Sequence, residues 1–183
     1  TVLVVVLLIT GLKGWERVLG ALRQPRLLLM LLASAVCITI NWGVYTWAIL
    51  AGHAIDTSLG YFINPLVSVL FGVALLGERL GRLQWVAVGL AALGVAVLTI
   101  ERGSLPLVSL ALALSFGVYG LIRKQAAVDT ATGLFVETLL LAPMAALWVA
   151  QTPQGFAGWP PVTTMTLALG GLATAIPLLL FGL

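Results

Sequence analysis

Runs of about twenty apolar residues, separated by short polar connections, dominate this chain and leave few folds open to it. Five runs, 27–50, 58–77, 83–100, 107–122 and 131–150, reach or approach the length that crosses a hydrocarbon core. That crossing takes about 20 helical residues. In lipid every backbone N–H and C=O needs an internal partner, so a spanning chain is a helix or part of a closed barrel. Barrel strands alternate polar and apolar residues in segments of about ten, and these runs do not alternate. The reading is an all-α integral membrane protein, a polytopic helical bundle. The connections 12–26, 51–57, 78–82, 101–106, 123–130 and 151–161 leave no room for a soluble domain.

Composition closes the other routes. Charged residues make up 8% of the 183, against roughly 25% in an average soluble domain. Fifteen charged side chains cannot cover a water-facing surface while 61% of the chain is hydrophobic and mean hydropathy is +1.16. Disorder needs the opposite balance. The formal net charge of +3 is scattered, which leaves no basic stripe for a nucleic acid. Cys37 is the one cysteine, so neither a disulfide scaffold nor a Cys-based metal site is expected. One His cannot build a usual zinc site. There is no phosphate-binding P-loop, no His-Glu-x-x-His, no Gly-x-Ser-x-Gly elbow and no close pair of intramembrane carboxylates. No enzyme and no cofactor is expected.

The first apolar run, 2–9, is too short to span and has no charged segment before it. It reads as the tail of a membrane helix over 1–11 rather than a signal peptide. Residues 162–183 read as most or all of another span. Both readings make the chain a piece of something longer.

Eight of the nine Lys and Arg residues fall in alternate connections, 12–26, 78–82 and 123–130. Basic loops stay on the cytoplasmic side, so those three are placed inside. Trp15, Trp47, Trp85, Trp148 and Trp159 lie near span ends, where indole prefers the interface. Trp42 sits deeper and needs another reason. A short echo links Leu32-Ala33-Ser34-Ala35-Val36 to Leu172-Ala173-Thr174-Ala175-Ile176, on spans of opposite expected direction. Weak internal symmetry of this kind is what inverted-repeat transporters carry.

Polar groups inside the spans carry the functional signal. Ser34, Asn41 and Tyr45 share one helix face by their spacing. Asn41 lies near mid-span. A carboxamide there must face protein or water, so it either bonds a neighbouring helix or lines a cavity. Pro65 follows Asn64 and crowds the carbonyl of Tyr61 four residues back. A helix break is expected there, and others at Pro143 and Pro177. Ser109, Ala113 and Gly117 form a small-residue stripe suited to close helix packing, and Gly72, Gly89 and Gly94 invite the same reading. Glu137 sits six residues past Ala131, roughly 9 Å into its span at 1.5 Å per residue. An acid at that depth is paired, protonated or facing water; the choice lies between a coupling group and an ion pair with Arg123 or Lys124. Asp56 reads as an N-cap region residue of the next helix rather than a proton or substrate contact, His53 as a solvated loop residue, and Glu78 as a favourable charge at the start of the next helix.

These residues also carry a resemblance. Asn41-Trp42, Tyr61-Phe62-Ile63-Asn64-Pro65, Gly77-Glu78-Arg79, Gln84-Trp85, Gly94-Val95, Gly120-Leu121-Ile122-Arg123-Lys124 and Glu137-Thr138 resemble the RarD group of EamA-type permeases. That group belongs to the drug/metabolite transporter superfamily, and the match runs along nearly the whole chain. It implies a ten-helix fold of two inverted five-helix repeats. The chain would hold a partial first repeat over 1–100 and a partial second over 107–183. It implies a secondary permease of the bacterial inner membrane that moves a small metabolite or drug by alternating access, with lipid and a small-molecule substrate as partners and room for a homo-oligomer. Asn41, Trp42, Tyr45, Tyr61, Asn64 and Tyr119 are the expected path residues, and Glu137 the expected coupling or gating group. A non-transporting membrane scaffold and an intramembrane lipid-modifying enzyme are the rival readings. A central cavity lined by the named residues separates them.

Overall fold

A computed structural model describes residues 14–103, 106–151 and 158–180; the expected tail over 1–11 lies outside them. The described residues form helices and short connections. Residues 14–22 are α1. The long helices are α2 (Pro25–Leu50), α3 (Ala54–Leu76), α4 (Arg82–Arg102), α5 (Leu107–Gln125), α6 (Thr130–Gln151) and α7 (Pro161–Leu180). Among the described residues, α2 to α6 are long and apolar enough to cross a membrane. Connections are shorter than the sequence suggests. The turn after α2 is residues 51–53 and the one after α5 is 126–129.

Glycine ends two of the helices. Gly77 follows α3 at φ 68° and Gly103 follows α4 at φ 65°. This left-handed backbone costs a Cβ-bearing residue more than glycine. The N–H of Glu78 then reaches back to the carbonyl of Gly72 at 3.1 Å, which occupies one of the carbonyls that a helix end leaves over. α3 and α6 stay helical through Pro65 and Pro143, and Pro177 falls within α7. The breaks expected from sequence are therefore single missing hydrogen bonds inside continuous helices. Opening a whole turn in lipid would orphan several more backbone groups.

The chain divides into two compact units, one of residues up to Ala35 and from Ala126 on, the other Val36–Gln125. In the second, α3 packs along α5 and also touches α4. Its core is Leu59, Ile63 and Val67 of α3 against Ala113 of α5, with Phe71, Val95 and Leu110 beside them. The small stripe makes this approach close. Ser109, Ala113 and Gly117 are all buried. A Cβ on Gly117 would come 2.6 Å from Val67 Cγ1, and one on Gly60 would come 3.3 Å from Leu112 Cβ. Gly89 and Gly94, read as further packing positions, instead face open space. Large apolar side chains of α4 such as Leu83, Leu90, Leu93 and Ile100 are more than 60% exposed, as suits a lipid-facing surface.

The first unit contains a helix that the sequence reading treated as a loop. α1 is amphipathic: Val18 and Ala21 are buried, while Glu16 and Arg17 are exposed. Val18 and Ala21 join Leu31 of α2 and Phe135 and Val136 of α6 in one cluster. Trp15, read as an interfacial indole, packs edge-on against Phe135 with centroids 6.2 Å apart. Arg17 lies 3.8 Å from Asp129. α7 packs against α6.

Candidate functional site

Three helices of the second unit surround a small, half-open recess. α2 supplies Asn41 and Tyr45, α3 supplies Thr57, Gly60, Tyr61 and Asn64, and α5 supplies Leu112 and Phe116. The α3 set is spaced three, one and three residues apart, one stripe of a helix. Gly60 carries no side chain, which lets α5 come close at Leu112.

Asn41 donates both amide hydrogens to α5. One goes to the Leu112 carbonyl at 2.9 Å and the other to Ser115 Oγ, also at 2.9 Å. A backbone carbonyl can only accept, so the amide's orientation is determined by its partner. Ser115 Oγ passes its own hydrogen to the Ala111 carbonyl at 2.7 Å. Asn41 is thus both an interhelical tie and part of the recess wall. What it has left to offer is its carbonyl oxygen. Asn64 differs. Its Oδ1 is buried and has no hydrogen-bond partner. A buried acceptor left unmatched costs about 1–3 kcal/mol.

The aromatic residues form a continuous run. Trp42 meets Tyr45 edge-on at 6.3 Å, and Tyr45 meets Tyr61 at 6.4 Å and 72°. Trp42 is half exposed and does not itself line the recess. Tyr119 is one helical turn from Phe116, with ring centroids 5.8 Å apart. Four of the six path residues named from sequence, Asn41, Tyr45, Tyr61 and Asn64, therefore share one recess, and the other two pack on its aromatic members. Sequence reasoning missed Thr57, Gly60, Leu112 and Phe116. The i, i+3, i+7 spacing of Thr57, Gly60 and Asn64 was a usable signal. Leu112 and Phe116 had none, because an apolar wall looks like any other apolar residue. Among the described residues, no Asp, Glu, Lys or Arg lines the recess.

Glu137 belongs to the other unit. It is 3% exposed and accepts a hydrogen bond from Ser34, whose hydroxyl also lies 3.0 Å from the Leu31 carbonyl. Ser34, grouped by spacing with Asn41 and Tyr45, serves this carboxyl group. Lys124, considered as a partner for Glu137, pairs with Glu78. That pair joins the C-terminal end of α5 to the residue after α3's Gly77 cap. It borders a second, roomier recess with Gly72 and Gly117 in its wall. At the opposite end of α3, His53 occupies the N-cap position without a side-chain capping bond. Its Nδ1 lies 3.0 Å from Asp56 Oδ2, and its ring stacks on Trp47 at 5.8 Å. Asp56 stands in the first turn, within the N-cap region expected for it, and His53 is more engaged than a solvated loop residue. Among the described residues no group of three or more His, Cys, Asp or Glu side chains could hold a metal.

Comparison with known proteins gives one consistent answer. The family model described as EamA-like transporter family matches residues 1–100. The chain is 46% identical to an uncharacterized transporter of Vibrio cholerae, over 98% of this chain and 61% of that protein. It is 43% identical to Protein RarD of Salmonella typhimurium, over 96% of this chain and 61% of that one. A chloramphenicol-sensitive protein RarD of Pseudomonas aeruginosa is 34% identical, over 91% and 58%. The chain thus spans about three fifths of the length of the curated relatives it matches. No solved structure matches.

Proposed function

Because this chain belongs to the EamA-like transporter family, we propose that it forms the larger part of a secondary permease. Such a protein moves a small molecule across the membrane by alternating access between two inverted halves. The halves in this chain are residues 1–100 and 107–183, each a partial repeat, and the membrane is the bacterial inner membrane. The recess of α2, α3 and α5 is part of the path. Asn41, Tyr45, Tyr61 and Asn64 face the substrate, and Trp42 and Tyr119 support the aromatic wall. Glu137 is the coupling or gating group, and Pro65, Pro143 and Pro177 mark where the helices bend.

One observation carries this reading: amides and phenols from two apolar spans converge on one recess. Polar groups at membrane depth are costly unless they meet each other or a wet cavity. A scaffold would spend all such groups on helix contacts. Asn41 spends its two amide hydrogens in that way, but the Asn64 oxygen remains unspent.

The test is metabolite uptake by vesicles carrying the full-length protein, with and without a proton gradient. Asn41→Ala and Asn64→Ala are each expected to slow uptake several-fold. Glu137→Gln is expected to remove the dependence on the gradient. Uptake unchanged in all three variants overturns the assignment.

A further inference from the structure

The second recess of this unit lies where α3 and α5 both end, on the side of the basic connections. Among the described residues its wall comes from α3, α5 and Glu78. From Ser68 to Leu76 α3 rises about 12 Å, and from Gly117 to Lys124 α5 rises about 10 Å. The recess is therefore a groove running along the spans. Phe71, Leu76 and Leu121 line it with apolar surface, and Gly117 and Gly120 keep its α5 side low. It encloses about 200 Å³; an apolar cavity of about 150 Å³ already holds benzene. Its mouth carries a matched pair of charges. The left-handed turn at Gly77 brings Glu78 back over α3, where a Cβ on Gly72 would come 2.5 Å from Glu78 Oε2. Lys124 Nζ donates to the other oxygen, Oε1. That bond uses one carboxylate oxygen and one of three ammonium hydrogens. Both side chains are about half exposed, so a ligand can reach them.

We propose that this groove docks a phospholipid with an ethanolamine headgroup, drawn from the cytoplasmic leaflet. The headgroup ammonium meets Glu78, its phosphate meets Lys124, and an acyl chain lies along Phe71, Leu76 and Leu121 over the bare backbone of Gly117 and Gly120. Charge complementarity selects this occupant. The pair is neutral as a whole, so a headgroup carrying both signs completes an alternating ring of charges. An anionic headgroup brings its phosphate to Lys124 but sets no cation against Glu78. A choline headgroup carries the cation but has no N–H to give, and charge-assisted hydrogen bonds are the stronger ones. The apolar groove that continues from the charges into the spans selects a lipid over a soluble zwitterion. This inference does not use the recess of α2, α3 and α5 and stands apart from the proposed substrate path.

The test is native mass spectrometry of the full-length protein, delipidated in detergent and supplied with equal amounts of dioleoyl phosphatidylethanolamine, phosphatidylcholine and phosphatidylglycerol. The first retained adduct is expected to be phosphatidylethanolamine, favoured about fivefold over each of the others, the scale of one exposed charge pair. Glu78→Gln is expected to remove that preference and to raise phosphatidylglycerol binding. Gly120→Leu is expected to lose the selective adduct and keep the weaker, unselective ones. A Cβ there meets nothing within 4 Å, so the leucine fills the groove without displacing a neighbour, and an unchanged melting temperature shows that the variant is folded. Equal binding of the three lipids, a preference for either of the other two, an order unaffected by Glu78→Gln, or a selective adduct that survives Gly120→Leu overturns the proposal. Glycerophosphoethanolamine that displaces the lipid at equal concentration also overturns it, because the headgroup alone then suffices. A lowered melting temperature in Gly120→Leu, with no selective lipid on the parent protein, identifies another segment of the full-length chain as the occupant and overturns it too.

Discussion

Both carboxamides of the recess sit at membrane depth, yet they do different work. Asn41 ties α2 to α5 through two hydrogen bonds, whereas Asn64 holds an unmatched oxygen. Interhelical hydrogen bonds in membranes are worth on average about 0.6 kcal/mol and at most about 1.7. Asn41→Leu is therefore expected to destabilise the full-length protein by about 1 kcal/mol in a reversible bicelle unfolding assay. Asn64→Leu is expected to leave stability unchanged or raise it, because removing an unsatisfied acceptor removes its desolvation cost. A larger loss for Asn64→Leu than for Asn41→Leu would contradict the hydrogen-bond assignment. That both residues were candidates was legible in the sequence, from polarity within an apolar run. Which of them was bonded was not, because it depends on how α5 registers against α2 and α3, some seventy and fifty residues away. Glu137 was legible in the same way as a buried acid, but its contact with Ser34 bridges 103 positions.

At the scale of helices, glycine separates packing from mere permissiveness. A Cβ at Gly117 collides with Val67, while Gly94 has open space around it. Gly117→Ala is expected to cost about 1–3 kcal/mol by forcing α5 away from α3, and Val67→Ala in the same protein should recover part of that loss. Gly94→Ala should be neutral or stabilising by up to about 1 kcal/mol, since Ala is the better helix former. The same unfolding assay measures all three. The Lys124–Glu78 pair gives a second check on α3 and α5. Its two side chains are 59% and 46% exposed, so its worth is about 0.2–1 kcal/mol and it weakens with salt. Lys124→Glu should destabilise, and adding Glu78→Lys should restore most of the loss in a double-mutant cycle. The stripe of Ser109, Ala113 and Gly117 was readable because its spacing matches one helix face. Gly89 and Gly94 were misread because residue type says nothing about whether a neighbour is present. α1 was missed although Val18, Ala21 and Leu22 show a helical period.

Across the whole molecule, the apolar runs and the basic connections specify spans and direction together. In a Cys37→Ser background, Ala51→Cys should react with an impermeant thiol reagent added outside intact cells, and Ala127→Cys should react only after the membrane is opened. The reverse pattern would invert the topology. Span positions were legible because lipid imposes a length and a composition on each helix. The recess walls were not, since Leu112 and Phe116 gain meaning only from the side chains opposite them. The tie at Asn41 also limits how such a molecule can work. Parting α2 from α5 would break the two hydrogen bonds that the Asn41 amide gives to α5. Ser109 adds a similar fastening, its hydroxyl 2.6 Å from the Asp56 carbonyl on α3. These three segments are joined by side-chain ties, so under the proposed alternating access a seam opening between them would first have to break the bonds of Asn41 and Ser109.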